Sequence, residues 1–397
     1  MISSQELLRR AQEISPYLIE LRRTLHQNPE LGGQEYGTQA LVLRELERMG
    51  IEAKPCAGTG VVGLIRGGAP GRTIALRADM DALPLQEETG LPFSSEKPGV
   101  MHACGHDTHT AALLGAARLL QEARDQLKGN VKLLFQPDEE YDGGAQRMVA
   151  EGCLEEPQVD AVFGGHSAVD DAAGQFSLKF GQEYAASNPF TITVYGRGTH
   201  GASPSLGIDA VLIGSQIVCT LQSLVSRRVS PTDSAVVTVG SFHAGTGNNI
   251  IAETARLGGI LRTLGPEMRK ELCALVRQTA EGVAAAMGGR AEVNIVESYP
   301  GVVNEDRMSR LAYASMVKLV GEENARIRSV PEMGTEDMGY FMEGRPGCYC
   351  YFGFGDGGRE CTFPAHNSHF RVNEDGLAYA AALHMQVALD YLEQQEF

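Results

Sequence analysis

Apolar and polar positions change period along the first third of the chain. Thr73-Ile74-Ala75-Leu76-Arg77-Ala78 is a short apolar run leading into Asp79, residues 131–135 form a second run, and 159–163 a third. Between them, residues 108–123 have helical composition. Strand-length runs alternating with helical stretches predict a mainly parallel sheet with helices on its faces. At the N-terminus, Ser3 and Glu6 read as a capping box opening an amphipathic helix, not as a secretory signal.

The middle third changes character. The pattern predicts a strand at 190–195, a long helix at 206–228, strands at 234–242 and 253–263, a helix at 266–287 and a strand at 291–297. That order, βαββαβ, is that of a ferredoxin-like sandwich. The last third returns to helix (305–320), strand (348–354) and an amphipathic helix (374–392). A chain of 397 residues exceeds what one core supports. The expectation is an α/β catalytic domain made of 1–185 and 299–397, with an α+β domain, 186–298, inserted.

Composition narrows the function class. A formal charge of −16 argues against nucleic acid or anionic membrane as the main partner. It leaves an anionic small substrate open, because one buried Arg decides that locally. No apolar run is read as a membrane span, and with no targeting segment visible the expected location is cytoplasmic. The eight cysteines show no disulfide-framework spacing. Cys348 and Cys350 read as core positions on a strand; Cys104 is the exception.

Cys104 lies in His102-Ala103-Cys104-Gly105-His106-Asp107-Thr108-His109, a dense set of the ligand types zinc-like ions favour. Such short Cys/His runs also arise as a buried thiol beside surface histidines. Asp79-Met80-Asp81, Glu139-Glu140 and His166 are each expected just past the C-terminal end of a strand, the edge where open α/β sheets build sites. Of two consecutive carboxylates, one can ligate a metal while the other faces substrate as general base. An acidic turn such as Asp138-Glu139-Glu140 is more commonly just solvated. His166 and His366 each come from a short loop, and a lone His is more often a satisfied polar residue. Together, however, these groups supply enough ligands for two metals. Farther along, the glycine-rich turn around His200, the loop ending in Asn248-Asn249, and Arg262 have bland readings as turns and a surface Arg.

Taken in order, the segments resemble the M20 metallopeptidase and amidohydrolase family, closest to its N-acyl-amino-acid amidohydrolase branch of auxin-conjugate, hippurate and aminoacylase-type hydrolases. The resemblance is carried by Leu25-His26-Gln27-Asn28-Pro29-Glu30-Leu31, Arg77-Ala78-Asp79-Met80-Asp81-Ala82-Leu83-Pro84, the run 102–109, Phe135-Gln136-Pro137-Asp138-Glu139-Glu140, residues 196–204, Asn249-Ile250-Ile251, Arg262-Thr263, Gly334-Thr335-Glu336-Asp337 and His366. It implies that Cys104, His106, Glu140, His166 and His366 ligate two divalent ions, zinc or manganese, with cobalt also accepted. It makes Glu139 the general base and Asp79 a carboxylate that orients a ligand. The inserted domain becomes a lid and dimerisation domain of a homodimer. His200 stabilises the oxyanion, in its own subunit or its partner's, while Asn249 and Arg262 hold the substrate.

The implied reaction is hydrolysis of the amide of an N-acyl amino acid. The ions lower the pKa of a trapped water, and Glu139 takes its proton and delivers it to the leaving amine. An M20 dipeptidase or carboxypeptidase with the same site is the nearest rival, and an inactive metal-binding dimeric scaffold the rival of another class. The chain departs from the family pattern at Asp138, Tyr141, Ser167, Ser205, Ala252 and Ile260, near the pocket and lid, which bears on substrate preference. His102, His109 and His369 are left as neighbours, and Glu336 and Asp337 without a role.

Overall fold

An eight-stranded sheet organises the larger part of the chain in the computed structural model, which describes residues 2–394. Across the sheet the strands run Glu52–Cys56, Gly60–Arg66, Lys128–Gln136, Ala69–Asp79, Ala161–Ala172, Gly347–Gly355, Phe176–Leu178 and Ala325–Ile327. The four central strands are parallel, and the pair Glu52–Cys56 and Gly60–Arg66 extends them antiparallel. The mainly parallel sheet expected from the sequence is present. The antiparallel hairpin was not foreseen: Pro55 interrupts one of its strands, and Gly60 and Gly63 interrupt the other.

Helix His106–Glu122 is apolar around most of its circumference and almost entirely buried, as a central helix must be. At Gly115 a Cβ would meet Leu18 at 2.5 Å and Ala381 at 3.2 Å. Glycine there lets helices Ser15–Gln27 and Gly376–Glu393 pack close to it. The N-terminal helix, Ser4–Glu13, is capped as its sequence indicates: the Ser3 hydroxyl accepts from the Glu6 amide at 3.2 Å. Six of the eight cysteines are buried, Cys348 and Cys350 among them, and all are free.

One expectation about strand ends is corrected. Asp79 ends its strand and Glu139 follows Gln136 closely, but His166 lies inside strand Ala161–Ala172. Pairing with the Asp79 strand stops at Leu76 and Phe163. Pairing with Gly347–Gly355 continues through Tyr351 opposite His166 to Gly355 opposite Ala172. His166 therefore stands beyond the ladder on one side only, which frees its side chain while its backbone stays paired.

The chain divides into two compact units. The larger holds the residues up to Glu183, Val303–Val330 and those from Asp337 on; the smaller holds Tyr184–Val302 with Pro331–Glu336. In the smaller, strands Ala235–Ala244, Thr254–Thr263, Ala186–Tyr195 and Arg290–Ile295 form an antiparallel sheet in that order. Its helices are Ala210–Arg227 and Pro266–Ala286, so element order and pairing are those of a ferredoxin-like sandwich. Helix Ala210–Arg227 is, by length and composition, apolar enough to cross a membrane. It nevertheless buries Ile213, Ile217, Leu221 and Leu224 in the core of this unit, the arrangement of a core helix.

Candidate metal centre

The site begins with a turn. Gly105, at φ +91°, precedes helix His106–Glu122, and a Cβ there would lie 2.2 Å from the Ser167 hydroxyl. This left-handed glycine puts Cys104 and His106 on either side of the helix start with both side chains facing one cluster. The Cys104 sulfur lies 3.3 Å from Nε2 of His166. Donor atoms of Cys104, His106 and His166 fall within 4.8 Å of one another, and so do those of Cys104, Glu140 and His366. Oε1 of Glu140 lies 3.2 Å from Nε2 of His366 and 3.9 Å from Nε2 of His106. His106, Glu139 and Glu140 form a third such group. The two triads share Cys104, the pattern of two adjacent cation sites with a common ligand.

The surrounding hydrogen bonds fix which nitrogens are available. His166 donates from Nδ1 to the Ser167 carbonyl at 2.8 Å, leaving the Nε2 lone pair toward Cys104. Nδ1 of His106 lies 3.3 Å from Asp81 Oδ1, and its Nε2 is buried without a hydrogen-bond partner. A buried imidazole nitrogen with no partner fits a metal ligand whose other nitrogen is held by a carboxylate. His109 differs. The Ser167 amide donates to its Nε2 at 2.8 Å, so its proton sits on Nδ1, 2.5 Å from Asp79 Oδ1. Both nitrogens are used, and His109 has no lone pair to offer.

Asp79 holds His109 and accepts from Arg77 at 2.8 Å, while its distance to His106 Nε2 is 3.7 Å. Asp81 is the carboxylate that touches both a candidate ligand and the acidic turn, since its Oδ2 accepts the Glu140 amide at 3.0 Å. Reading from sequence gives the orienting role to Asp79, places Asp81 beside it at the strand end without a role of its own, and leaves His109 as a neighbour. A signal existed: Asp79 and Asp81, two apart at a strand end, belong to one face. Asp337 is buried in the same network, accepting from Gln136, from Arg77 at 3.1 Å and from the Ala145 amide at 3.0 Å. His102 is buried, its pKa driven down to about 3 by burial, so it is a neutral core imidazole.

Electrostatics fit a cation. Burial pushes the Cys104 thiol well above its ordinary value, a penalty that a bound divalent ion reverses. Burial also pushes His166 down to about 3, keeping the imidazole neutral. Burial would raise Glu140, but the His366 and His106 contacts outweigh it and hold the carboxylate low. One thiol, three imidazoles and a carboxylate form a mixed donor set suited to zinc-like ions. His366 comes from a loop at φ +65°, pinned by its amide donating to the Ala103 carbonyl at 2.7 Å.

In the smaller unit, His200 pairs with Ile250 across a short two-strand ribbon, and the Gly201 amide donates to the Asn249 carbonyl at 2.7 Å. The structure thus brings the His200 turn and the Asn249 loop together. The Ala202 amide donates to His200 Nδ1 at 3.1 Å, which leaves the ring proton on Nε2, available to donate. Arg262, near the end of strand Thr254–Thr263, is half-buried with Nη1 unpartnered, and burial lowers its pKa.

Comparison with known proteins agrees with this chemistry. The family described as peptidase family M20/M25/M40 matches residues 75–390. Thermostable carboxypeptidase 2 of Saccharolobus solfataricus is 36% identical over 98% of this chain and 98% of its own length. N-acetyl-L-cysteine deacetylase of Bacillus subtilis is 39% identical over 96% of this chain and 89% of its own. Among solved structures, the Bacillus subtilis YXEP protein, described as a dinuclear metal-binding peptidase of family M20, superposes with a TM-score of 0.85. It is 34% identical, over 96% of this chain and 99% of its own. A metal-dependent hydrolase is the class that fold and donor set define. The chain belongs to peptidase family M20/M25/M40.

Proposed function

We infer that the protein hydrolyses the amide bond of N-acyl amino acids, releasing a carboxylic acid and a free amino acid. One observation carries the reading: five donors, Cys104, His106, Glu140, His166 and His366, converge on two triads sharing the thiol, with the His106 and His166 Nε2 atoms left available. These residues would hold two divalent ions; the thiol and imidazoles lean toward zinc, and such a mixed donor set also accepts manganese or cobalt. When bound, such ions would polarise an amide carbonyl and lower the pKa of a water.

The chain's own residues do the rest. Glu139, beside the ligand Glu140, takes the water's proton and returns it to the leaving amine. His200 donates from Nε2–H to the developing oxyanion. Arg262 offers its unpartnered guanidinium nitrogen to the substrate carboxylate, and Asn249 assists in binding. Asp81 and His109 keep His106 and Asp79 oriented. The protein is read as a homodimer through the smaller unit, where Val211, Leu212 and Phe242 are large apolar residues left exposed.

The carboxypeptidase among its relatives supports a second reading, exopeptidase action by the same residues. Amine release from N-acetyl, N-benzoyl and indole-acetyl amino acids and from plain dipeptides, with Zn²⁺, Mn²⁺ or chelator, tests both. Chelator-sensitive cleavage confined to acylated substrates is expected. Cleavage of dipeptides alone would transfer the protein to the second reading.

A further inference from the structure

The turn that presents Glu139 and Glu140 is held in an unfavoured conformation by groups the reaction does not use. Asp138 has φ +56°, a left-handed value that a residue with a side chain rarely adopts unless its surroundings impose it. Its amide donates to Glu35 Oε1 at 2.8 Å, and its carbonyl accepts the amides of Gly143 and Gly144 at 3.1 and 2.9 Å. Its carboxylate accepts from Arg147 at 2.7 Å and from the Asp142 amide at 3.4 Å. Glu35 is itself buried.

Two glycines make room for this arrangement. A Cβ on Gly32 would lie 2.2 Å from Asp138 Oδ1, and one on Gly144 would lie 1.8 Å from the Pro137 carbonyl. Two residues on, the Glu140 amide is held by Asp81 at 3.0 Å. Glu139 therefore sits between two backbone amides, those of 138 and 140, each fixed by a buried carboxylate.

We propose that Asp138, braced by Glu35 and Arg147, is a positioning residue that sets the direction of Glu139 relative to its ligand neighbour Glu140. The proposal rests on the reading of Glu139 as general base. An ordinary extended residue at 138 would turn the next two side chains to opposite faces. The left-handed turn instead lets Glu139 and Glu140 come within one donor cluster with His106.

The test compares D138A, D138N, R147M and E139Q in the full-length, metal-loaded protein. Steady-state kinetics on the best acylated substrate are read beside the metal-to-protein ratio. D138A is expected to lower kcat about 10- to 100-fold with KM within about threefold and metal content unchanged, as a misplaced reacting group does. D138N tolerates the left-handed conformation and keeps an acceptor for Arg147, so it is expected to regain most of that loss. R147M leaves the backbone bonds to Glu35 intact and is expected to lower kcat less, again at constant KM and metal content. Wild-type kcat in D138A, a loss that tracks missing metal, or no recovery with Asn overturns the proposal. Should D138A not fold, wild-type kcat in R147M does so. An active E139Q would instead overturn the general-base reading, whereas an inert E139Q beside a fully active D138A removes only the positioning role.

Discussion

Nδ1 of His109 lies 2.5 Å from Oδ1 of Asp79 while its Nε2 accepts the Ser167 amide, so neither ring nitrogen is left to ligate a metal. With Nε2 accepting the Ser167 amide, His109 ties the Asp79 strand end to the backbone next to His166. His109→Ala would leave the buried Ser167 amide unpaired and take from Asp79 one of its hydrogen-bond donors. Metal affinity is expected to fall about 10- to 100-fold, as for other residues that orient ligands. Competition against a chromophoric chelator measures this; unchanged affinity would show that the Ser167 segment is held without it.

Glu139→Gln is expected to keep both metals and lose nearly all turnover, because the amide can neither take nor return a proton. Metal analysis and single-turnover assays on one preparation separate the two effects. Substantial activity in the metal-replete variant would remove Glu139 from the role of base.

Arg262→Met carries two expectations of opposite sign. The half-buried guanidinium has an unpartnered nitrogen, so its loss should leave stability unchanged or raise it by about 1 kcal/mol. KM for substrates with a free carboxylate should rise about 100-fold, with little change for the corresponding carboxamides. Thermal unfolding and a paired carboxylate–carboxamide assay read both. A drop in stability with unaltered KM would assign Arg262 to the fold.

Glu87 supplies a pH-dependence whose sign can be worked out. Burial raises its pKa, but hydrogen bonds from His26, the Ser95 amide and Thr89 outweigh this and bring it to about 2. A carboxylate depressed below its ordinary 4.5 stabilises the fold above that pH and loses the contribution as pH falls toward 2. Glu87→Gln is therefore expected to cost about 1–2 kcal/mol at pH 7. The gap to wild type should narrow as pH falls below about 4.5 and close only toward about pH 2. Denaturant unfolding at several pH values tests it; a gap independent of pH would mean the cost is packing alone.

Much of this was legible in the chain itself. The parallel strands and the βαββαβ order follow from apolar periodicity, and the run 102–109 is dense enough in Cys and His to mark candidate ligands, although the helix expected from 108 begins at His106. What stayed hidden depends on contacts between distant segments. Asp81 reads like Asp79 until His106 and the Glu140 amide are seen against it. His109 reads like its neighbours until the Ser167 amide claims its Nε2. Asp138 reads as one more acid in a turn, because a positive φ imposed by Glu35, Arg147 and Gly32 leaves no trace in local composition. His166 was placed past its strand end because nothing in sequence shows that one neighbouring strand stops at Leu76 while the other continues.

The most direct test of the central claim is a metal titration of chelator-stripped protein, following bound ion and amide hydrolysis together, with Cys104→Ser alongside. Wild type is expected to take up two ions per chain and to regain activity as they bind, while the variant, lacking the ligand common to both triads, is expected to bind weakly at both sites. Full activity in the stripped protein, or a Cys104→Ser variant that still binds two ions tightly, would contradict the account.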